Sequence, residues 1–396
     1  MKLSSKLLKF NEPETLKMAK LGRELRAKGV DVIDLSLGEP DFETPLHIKD
    51  ALKKAVDDNW SHYSPVAGYP DLREAVCVKL KRDNQLEYVP ENIVVSTGAK
   101  QSLANAILAI VDDGDEVIIP APFWVSYSEL VKIAGGIPVI VKTSSENKYK
   151  ITPQQLEATI TNKSKLFLFS SPCNPSGSIY SKEELAELVK IFEKYNDLFI
   201  ISDEIYEYIN FIGKHESIAQ FSSIKERVVI INGLSKGFAM TGYRLGYLAA
   251  TVEIARACEK WQGQFTSGTN AVTQKAAVEA LLGNLEQSIF MKNEFATRRK
   301  RILELINEIP NFSCVEPDGA FYIFPVVKSY FGKTDGESII NNADDLCIYL
   351  LHKAHVSTVT GRAFGEPDCI RISFANSMEK IETAMNRIKN SLAKLH

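Results

Sequence analysis

Continuous apolar runs alternate with stretches of helical apolar spacing through the middle of the chain. Residues 93–96 (IVVS) form a short β-branched run, and 100–111 then place apolar residues at helical intervals. Residues 116–120 predict a strand, 123–134 a helix and 137–141 a strand again. The run KLFLFS at 165–170 predicts a buried strand, and 182–195 an amphipathic helix. LFIIS at 198–202 and VVII at 228–231 are further apolar strands. Such strands alternating with helices predict an α/β fold, a mostly parallel sheet covered by helices on both faces. Ligands of these sheets bind beyond the carboxyl ends of the strands. The residues that follow each strand are therefore the ones to inspect.

Beyond residue 253 the pattern becomes more helical, with helices predicted over 276–282 and 291–309. The last hundred residues or so mix short strands (320–324, 370–373) with helices (344–355, 378–395), as in a smaller α+β domain. A length of 396 residues is long for one core and fits two domains, or a large domain with a smaller partner. Hydrophobic residues make up 45% and charged residues 24%, with a formal net charge of -3. No broad basic field is expected, which argues against nucleic acid and anionic membranes as partners. The cysteines (Cys77, Cys173, Cys258, Cys314, Cys347, Cys369) show no CxxC pair, as expected of a reduced cytoplasmic protein. The N-terminal stretch MKLSSKLLKFNEPETLK lacks the apolar core of a signal peptide, and no apolar run is long enough to span a bilayer.

After the run at 93–96, Thr97-Gly98-Ala99-Lys100 opens a helix whose exposed N–H groups could cradle a phosphate, although small residues before a helix are common. SSPCNPSG follows the strand at 165–170. Taken alone it reads as a turn, with Asn174 as an available amide donor. Asp203 and Glu204 close another apolar strand, where a carboxylate is costly unless it meets a cation. Tyr206 lies just beyond. Lys236 follows the strand at 228–231, with Arg244 shortly after. Each feature is common; their order along one sheet edge is not.

That order resembles the class I pyridoxal-phosphate (PLP) aminotransferases of the aspartate aminotransferase superfamily, and most of all the bacterial subgroup Ib. The segments SLGEPDFETP, YSPVAGYPDLREAV, STGAKQ, PAPFWVSYSELVKIAGG, SSPCNPSGSIY, SDEIYE, SKGFAMTGYRLGY, PDGAFYIFP and IRISFA carry the likeness nearly end to end. The resemblance implies PLP-dependent transferase fold type I, with a large domain at 48–296 and a small one formed by 1–47 and 297–396. It implies that Lys236 forms the Schiff base with the cofactor and shuttles a proton, a role suited to a desolvated amine. Asp203 resembles the carboxylate that pairs with the pyridine nitrogen and keeps the ring an electron sink. Asn174 and Tyr206 match the residues bonded to the cofactor's 3′ oxygen. Arg244, the Ala99 and Lys100 amides, and Ser235 match the phosphate site. Trp124 matches the stacking aromatic, and Arg371 the clamp on the substrate α-carboxylate. Gly38 matches a backbone contact to the substrate, Trp124 and Asn174 also face it, and Tyr63 matches a residue reaching the partner subunit's phosphate, hence a homodimer.

Substrate choice then turns on the side-chain pocket, where Lys100 is expected to meet the distal carboxylate of aspartate or glutamate. One departure bears on this. Where many relatives carry K-P-S-x-T, this chain has NEPETLKM, with Glu12 and Glu14 expected near the mouth. Tyr243, where relatives often have Trp, is expected to alter packing only. Aromatic or prephenate aminotransferases and carbon–sulfur lyases share the same PLP constellation. A PLP-sensing regulator needs an N-terminal DNA-binding domain, and too few residues precede SLGEPDF. His352 and His355 are read as surface histidines, not as metal ligands.

Overall fold

The protein is described by a computed structural model that covers residues 12–396 together with Ser4, Leu7, Leu8 and Phe10. Part of the N-terminal stretch read for a signal peptide, including Asn11, lies outside the described residues. The strands in chain order begin with β1 (Ile33–Asp34). The large sheet takes β2 (Ile93–Ser96), β3 (Glu116–Ala121), β4 (Ile137–Lys142), β5 (Ser164–Ser170), β6 (Phe199–Asp203), β7 (Val228–Gly233) and β8 (Gly246–Ala249). The remaining strands are β9 (Tyr322–Ile323), β10 (Val356–Ser357), β11 (Val359–Thr360) and β12 (Ile370–Ser373).

The large sheet has the order β2-β8-β7-β6-β5-β3-β4. All its neighbouring pairs are parallel except those of β8, which runs antiparallel to β2 and β7. Its two faces bury alternate residues. Val95, Ile118, Phe167, Ile200 and Ile230 join one apolar cluster, with the helices Pro70–Asn84, Lys182–Phe192 and Ala271–Leu282. Val94, Val117, Leu168, Ile201 and Val229 join the other, with Ala99–Ile110, Ser126–Ile133 and Val252–Phe265. Burial on both faces is why these strands read as unbroken apolar runs. Each fully buried Val, Leu, Ile or Phe contributes roughly 1.5–3 kcal/mol. The edge strand β4 differs, because Ile137 and Ile140 stay exposed.

A third apolar cluster unites Val32, Ile33 and Leu35 with Phe295, Ile302, Phe321, Val356, Ile372, Ile381 and Ile388. It packs the helices Glu14–Ala27, Glu286–Asn307 and Met378–Leu392 around the antiparallel sheet β11-β12-β9 and the parallel pair β1-β10. Several predicted elements shift at their ends. The helix expected over 123–134 starts only at Ser126, since Pro122 and Trp124 occupy the turn out of β3. The helix expected over 344–355 is Ala343–Tyr349, continued by a wider turn through Leu350–Ala354. His355 ends that turn in the left-handed region at φ 55°. No helix among the described residues is long and apolar enough to cross a membrane.

Candidate active site

Parallel strands bring their carboxyl ends to one edge of the sheet, and the chain leaving each strand turns past the same space. β3 leads to Trp124, β5 to Asn174, β6 ends on Asp203, and β7 leads to Ser235 and Lys236. β8 runs the other way, so its amino end lies at this edge and brings Arg244 with it. β12 contributes Arg371, and the segment after β1 contributes Gly38. Together with Ala99, Lys100 and Tyr206 these residues line one cavity of about 260 Å³. Tyr63 is not among them. It is 99% exposed and lines a separate concavity of about 500 Å³ with Trp60, Gly268 and Asn270.

The Lys236 ammonium donates to the Gly38 carbonyl and lies 5.9 Å from the Tyr206 ring centre. Burial, reinforced by the Arg371 and Arg244 cations, pushes its pKa down to about 8 against the pull of Glu39 and Asp203. Asp203 accepts from the Tyr127 hydroxyl at 2.7 Å and from the Ile205 amide at 3.2 Å. Burial nevertheless pushes its pKa up to about 6.

Arg371 is only 2% exposed and forms no ion pair among the described residues. Its Nη1 donates to Asn174 Oδ1 at 2.9 Å and its Nη2 to the Ser36 carbonyl. The guanidinium lies 4.4 Å from the Tyr322 ring centre and 4.9 Å from that of Phe364, while its Nε has no partner. Burial lowers its pKa. A buried cation held only by neutral groups is costly and calls for an anion, and a carboxylate matches its fork.

A second anion cradle forms where β2 enters the helix Ala99–Ile110. Gly98 at its N-cap has φ +85° and offers no side-chain cap. A Cβ there would lie 2.3 Å from Arg244 Nη2, so glycine alone lets the guanidinium approach. Arg244 donates to the Thr241 carbonyl at 2.9 Å and the Thr97 carbonyl at 3.5 Å. Cation and positive helix end suit a phosphate. Lys100 Nζ lies 4.9 Å from the Trp124 ring centre, with its pKa lowered by burial and by Arg244.

At the mouth the two glutamates have different surroundings. Glu14 is paired with Arg362 at 3.2 Å and Lys17 at 3.5 Å, which leaves Thr15 and Leu16 to line the cavity. Glu12 is exposed and does not line it. Tyr243 packs against the large-sheet core. Sequence reasoning passed over Tyr127, Tyr322, Leu16 and Leu37. Tyr127 follows Trp124 by one helical turn, and Tyr322 stands in the GAFYIFP segment, but nothing in the pattern singles out either. Glu204, Glu207 and His215 lie close enough to suggest a metal site. Lys79 already neutralises Glu207 and the Ser202 and Ser217 hydroxyls donate to Glu204, while His215 Nε2 lies 3.0 Å from Glu204 Oε2 and His215 Nδ1 is buried without a hydrogen-bond partner among the described residues.

An amine of lowered pKa, a strand-end carboxylate and a phosphate-type cradle are what an aldehyde, a ring nitrogen and a phosphate require, and PLP carries all three. Comparison with known proteins agrees. The family model "Aminotransferase class I and II" matches residues 30–388. The chain is 42% identical to an aspartate/prephenate aminotransferase of Nitrosomonas europaea, over 99% of this chain and 100% of that one. It is 41% identical to an aspartate aminotransferase of Bacillus subtilis, over 100% of both. The crystal structure of the aspartate aminotransferase from Rhizobium meliloti superposes with a TM-score of 0.96 at 36% identity, over 100% of both chains. That of Thermus thermophilus aspartate aminotransferase with maleate superposes with a TM-score of 0.92 at 34% identity, over 99% of this chain and 100% of that one. The chain belongs to the class I and II aminotransferases, enzymes that work with pyridoxal 5′-phosphate.

Proposed function

We propose that this chain is an aspartate aminotransferase, moving the amino group of L-aspartate to 2-oxoglutarate in two half-reactions and giving oxaloacetate and L-glutamate. The observation that carries the reading is the presence, in one cavity, of two cations that suit the two carboxylates of such substrates. Arg371 is buried without an ion-pair partner among the described residues, and Lys100 stands over Trp124. The Thermus thermophilus relative was solved with maleate, a four-carbon dicarboxylate.

Bound PLP supplies an electron sink for the bond that breaks at the substrate's Cα. Lys236 would anchor the cofactor through its amine and would serve as the base that takes the proton from the substrate's Cα. Asp203 keeps the pyridine nitrogen protonated, and Asn174 and Tyr206 hold the 3′ oxygen. Arg244, Ser235 and the Ala99 and Lys100 amides would hold the phosphate, and Trp124 would lie against the ring. Arg371 orients the α-carboxylate, with Gly38 contributing a backbone contact.

A second reading is transamination of an aromatic or prephenate-type acid. It is favoured by the apolar wall that Leu16 and Leu37 present to the cavity, both substantially exposed. An amino-acid panel against the PLP-loaded protein, followed by the bound cofactor's absorbance, separates the two. Aspartate and glutamate should react fastest; a clear preference for phenylalanine, tyrosine or arogenate would overturn the acidic-substrate reading. Lys100→Ala should lower kcat/KM for aspartate and glutamate about ten- to a hundredfold, since a hydrogen bond to a charged group contributes roughly 1.5–3 kcal/mol. Alanine and aromatic substrates should change little. If all substrates fall together, Lys100 serves the cofactor or the fold.

The proposal includes a cytoplasmic homodimer with shared active sites, in which a large body at 48–296 carries a smaller one of 1–47 and 297–396. The separate apolar core of the smaller body and the free cysteines fit this. So do the exposed Trp60, Tyr63, Trp261 and Phe265. Tyr63→Phe should weaken PLP retention about tenfold or more, as loss of a hydrogen bond to the partner's phosphate requires. Equilibrium dialysis of the cofactor measures that, and a fully active monomer in sedimentation would refute the shared site.

A further inference from the structure

Tyr206 is buried, and its hydroxyl has one recorded partner among the described residues, the Tyr322 hydroxyl at 2.7 Å. Two hydroxyls at that distance share one hydrogen bond, so one donates and the other's proton is free to turn elsewhere. The charges around the pair are asymmetric. Arg371 on β12 lies 4.4 Å from the Tyr322 ring centre. Tyr206 instead has the Asp203 carboxylate of β6 among its charged neighbours, with Lys236 5.9 Å from its ring centre. Burial raises both phenols and Arg371 opposes that rise at each, while Asp203 weighs further against charge on Tyr206. Either hydroxyl can donate in this pair, and the guanidinium 4.4 Å from the Tyr322 ring centre makes Tyr322 the better donor of the two.

The Tyr322 oxygen is also closely confined. Gly38 passes so near that a Cβ there would lie 2.1 Å from it. The Tyr322 ring packs edge-on against Tyr206 at 5.9 Å and beside Phe321 at 4.9 Å. Both tyrosines line the cavity that contains Lys236.

We propose that Tyr322 is a positioning residue for transamination: by donating its hydroxyl proton to the Tyr206 oxygen, it turns the Tyr206 proton into the cavity, toward the anionic oxygen on the cofactor ring. The inference rests on the reading of Tyr206 as a contact of that oxygen. Tyr322 itself acts through Tyr206 and not on the substrate.

Tyr322→Phe removes the hydroxyl and keeps the ring beside Arg371. In the PLP-loaded protein the pH midpoint of the bound cofactor's absorbance should rise by roughly 0.5–1 pH unit, a three- to tenfold gain in proton affinity. The sign follows because a ring oxygen with a poorly aimed donor keeps more negative charge and holds a nearby proton more tightly. The kcat for aspartate should fall about three- to tenfold. KM should stay within about twofold, since Arg371 retains Asn174, Ser36 and both rings. Tyr206→Phe should shift the midpoint further in the same direction, and Tyr322→Phe added to Tyr206→Phe should change nothing more. An unmoved midpoint in Tyr322→Phe beside a moved one in Tyr206→Phe overturns this inference alone. Equal shifts in both backgrounds overturn it too, because Tyr322 would then act by another route. If Tyr206→Phe leaves the midpoint unmoved, the reading of Tyr206 falls, and this inference with it.

Discussion

Lys236→Ala should leave no measurable transamination, and borohydride treatment of the PLP-loaded variant should fix no cofactor to the protein. Positioned proton transfer alone contributes on the order of 10²–10⁴ in rate, and loss of the covalent anchor adds to that. The amine suits both tasks because burial and two nearby guanidiniums push its pKa down to about 8 from the 10.5 of an ordinary lysine. The sign is that of a depressed base: the neutral, nucleophilic form predominates above about pH 8. Cofactor capture by the empty protein should therefore quicken as pH rises toward 8 and then level off, well below the range of a solvated lysine. Peptide mapping of the reduced wild-type protein is the direct check. Label on any lysine other than Lys236 would remove the assignment, and with it the mechanism built on it.

The parts of the molecule legible in sequence are those where one physical signal dominates. β5, β6 and β7 are buried on both faces, so their apolar runs survive in any context. β8 was missed. Its four residues, Gly246–Ala249, carry too little pattern, and its antiparallel sense is set by pairing with β2 and β7. That sense matters, because it alone places Arg244 at the edge where the other strands end. The helices Glu14–Ala27, Leu46–Asp57 and Pro70–Asn84 were passed over too. Each keeps a largely polar surface and buries only part of one face. At the site, the strand-end positions could be read from the chain order, whereas Tyr127 and Tyr322 depend on side chains meeting across long sequence separations. Glu14 adjoins Thr15 and Leu16 at the cavity, but its pairing with Arg362, 348 residues away, could not be read from the chain. Tyr63, expected to reach the phosphate of the partner subunit, is exposed and lines a concavity apart from this chain's own cavity.

Asp203→Asn should lower kcat by roughly a hundred- to several-thousandfold, with a much smaller effect on KM. Breaking a buried charge pair costs about 3–5 kcal/mol, which converts to that range of rates when the charge matters most as electrons flow into the ring. The substitution is nearly isosteric: with the amide oxygen in the Oδ1 position it still accepts from the Ile205 amide, while the amide nitrogen in the Oδ2 position donates to the Tyr127 hydroxyl oxygen, so both contacts persist with one of them reversed. The same carboxylate gives a second signature. In the empty protein burial pushes its pKa up to about 6 from 3.8, so its charge is lost as pH falls through about 6. Wild-type affinity for PLP should then drop below pH 6 more steeply than that of Asp203→Asn, which has no charge to lose. The phosphate of PLP titrates in the same region, but identically against both proteins, so the difference between the curves isolates Asp203. Linkage adds a control for folding. A carboxyl whose pKa is raised by burial destabilises the empty protein once ionised, a cost that grows between pH 3.8 and about 6 and is complete above it. Without cofactor, Asp203→Asn should therefore melt no lower than wild type at pH 7. A variant that is equally stable and equally active would show that the ring nitrogen is paired elsewhere, and the electron-sink role of Asp203 would be lost.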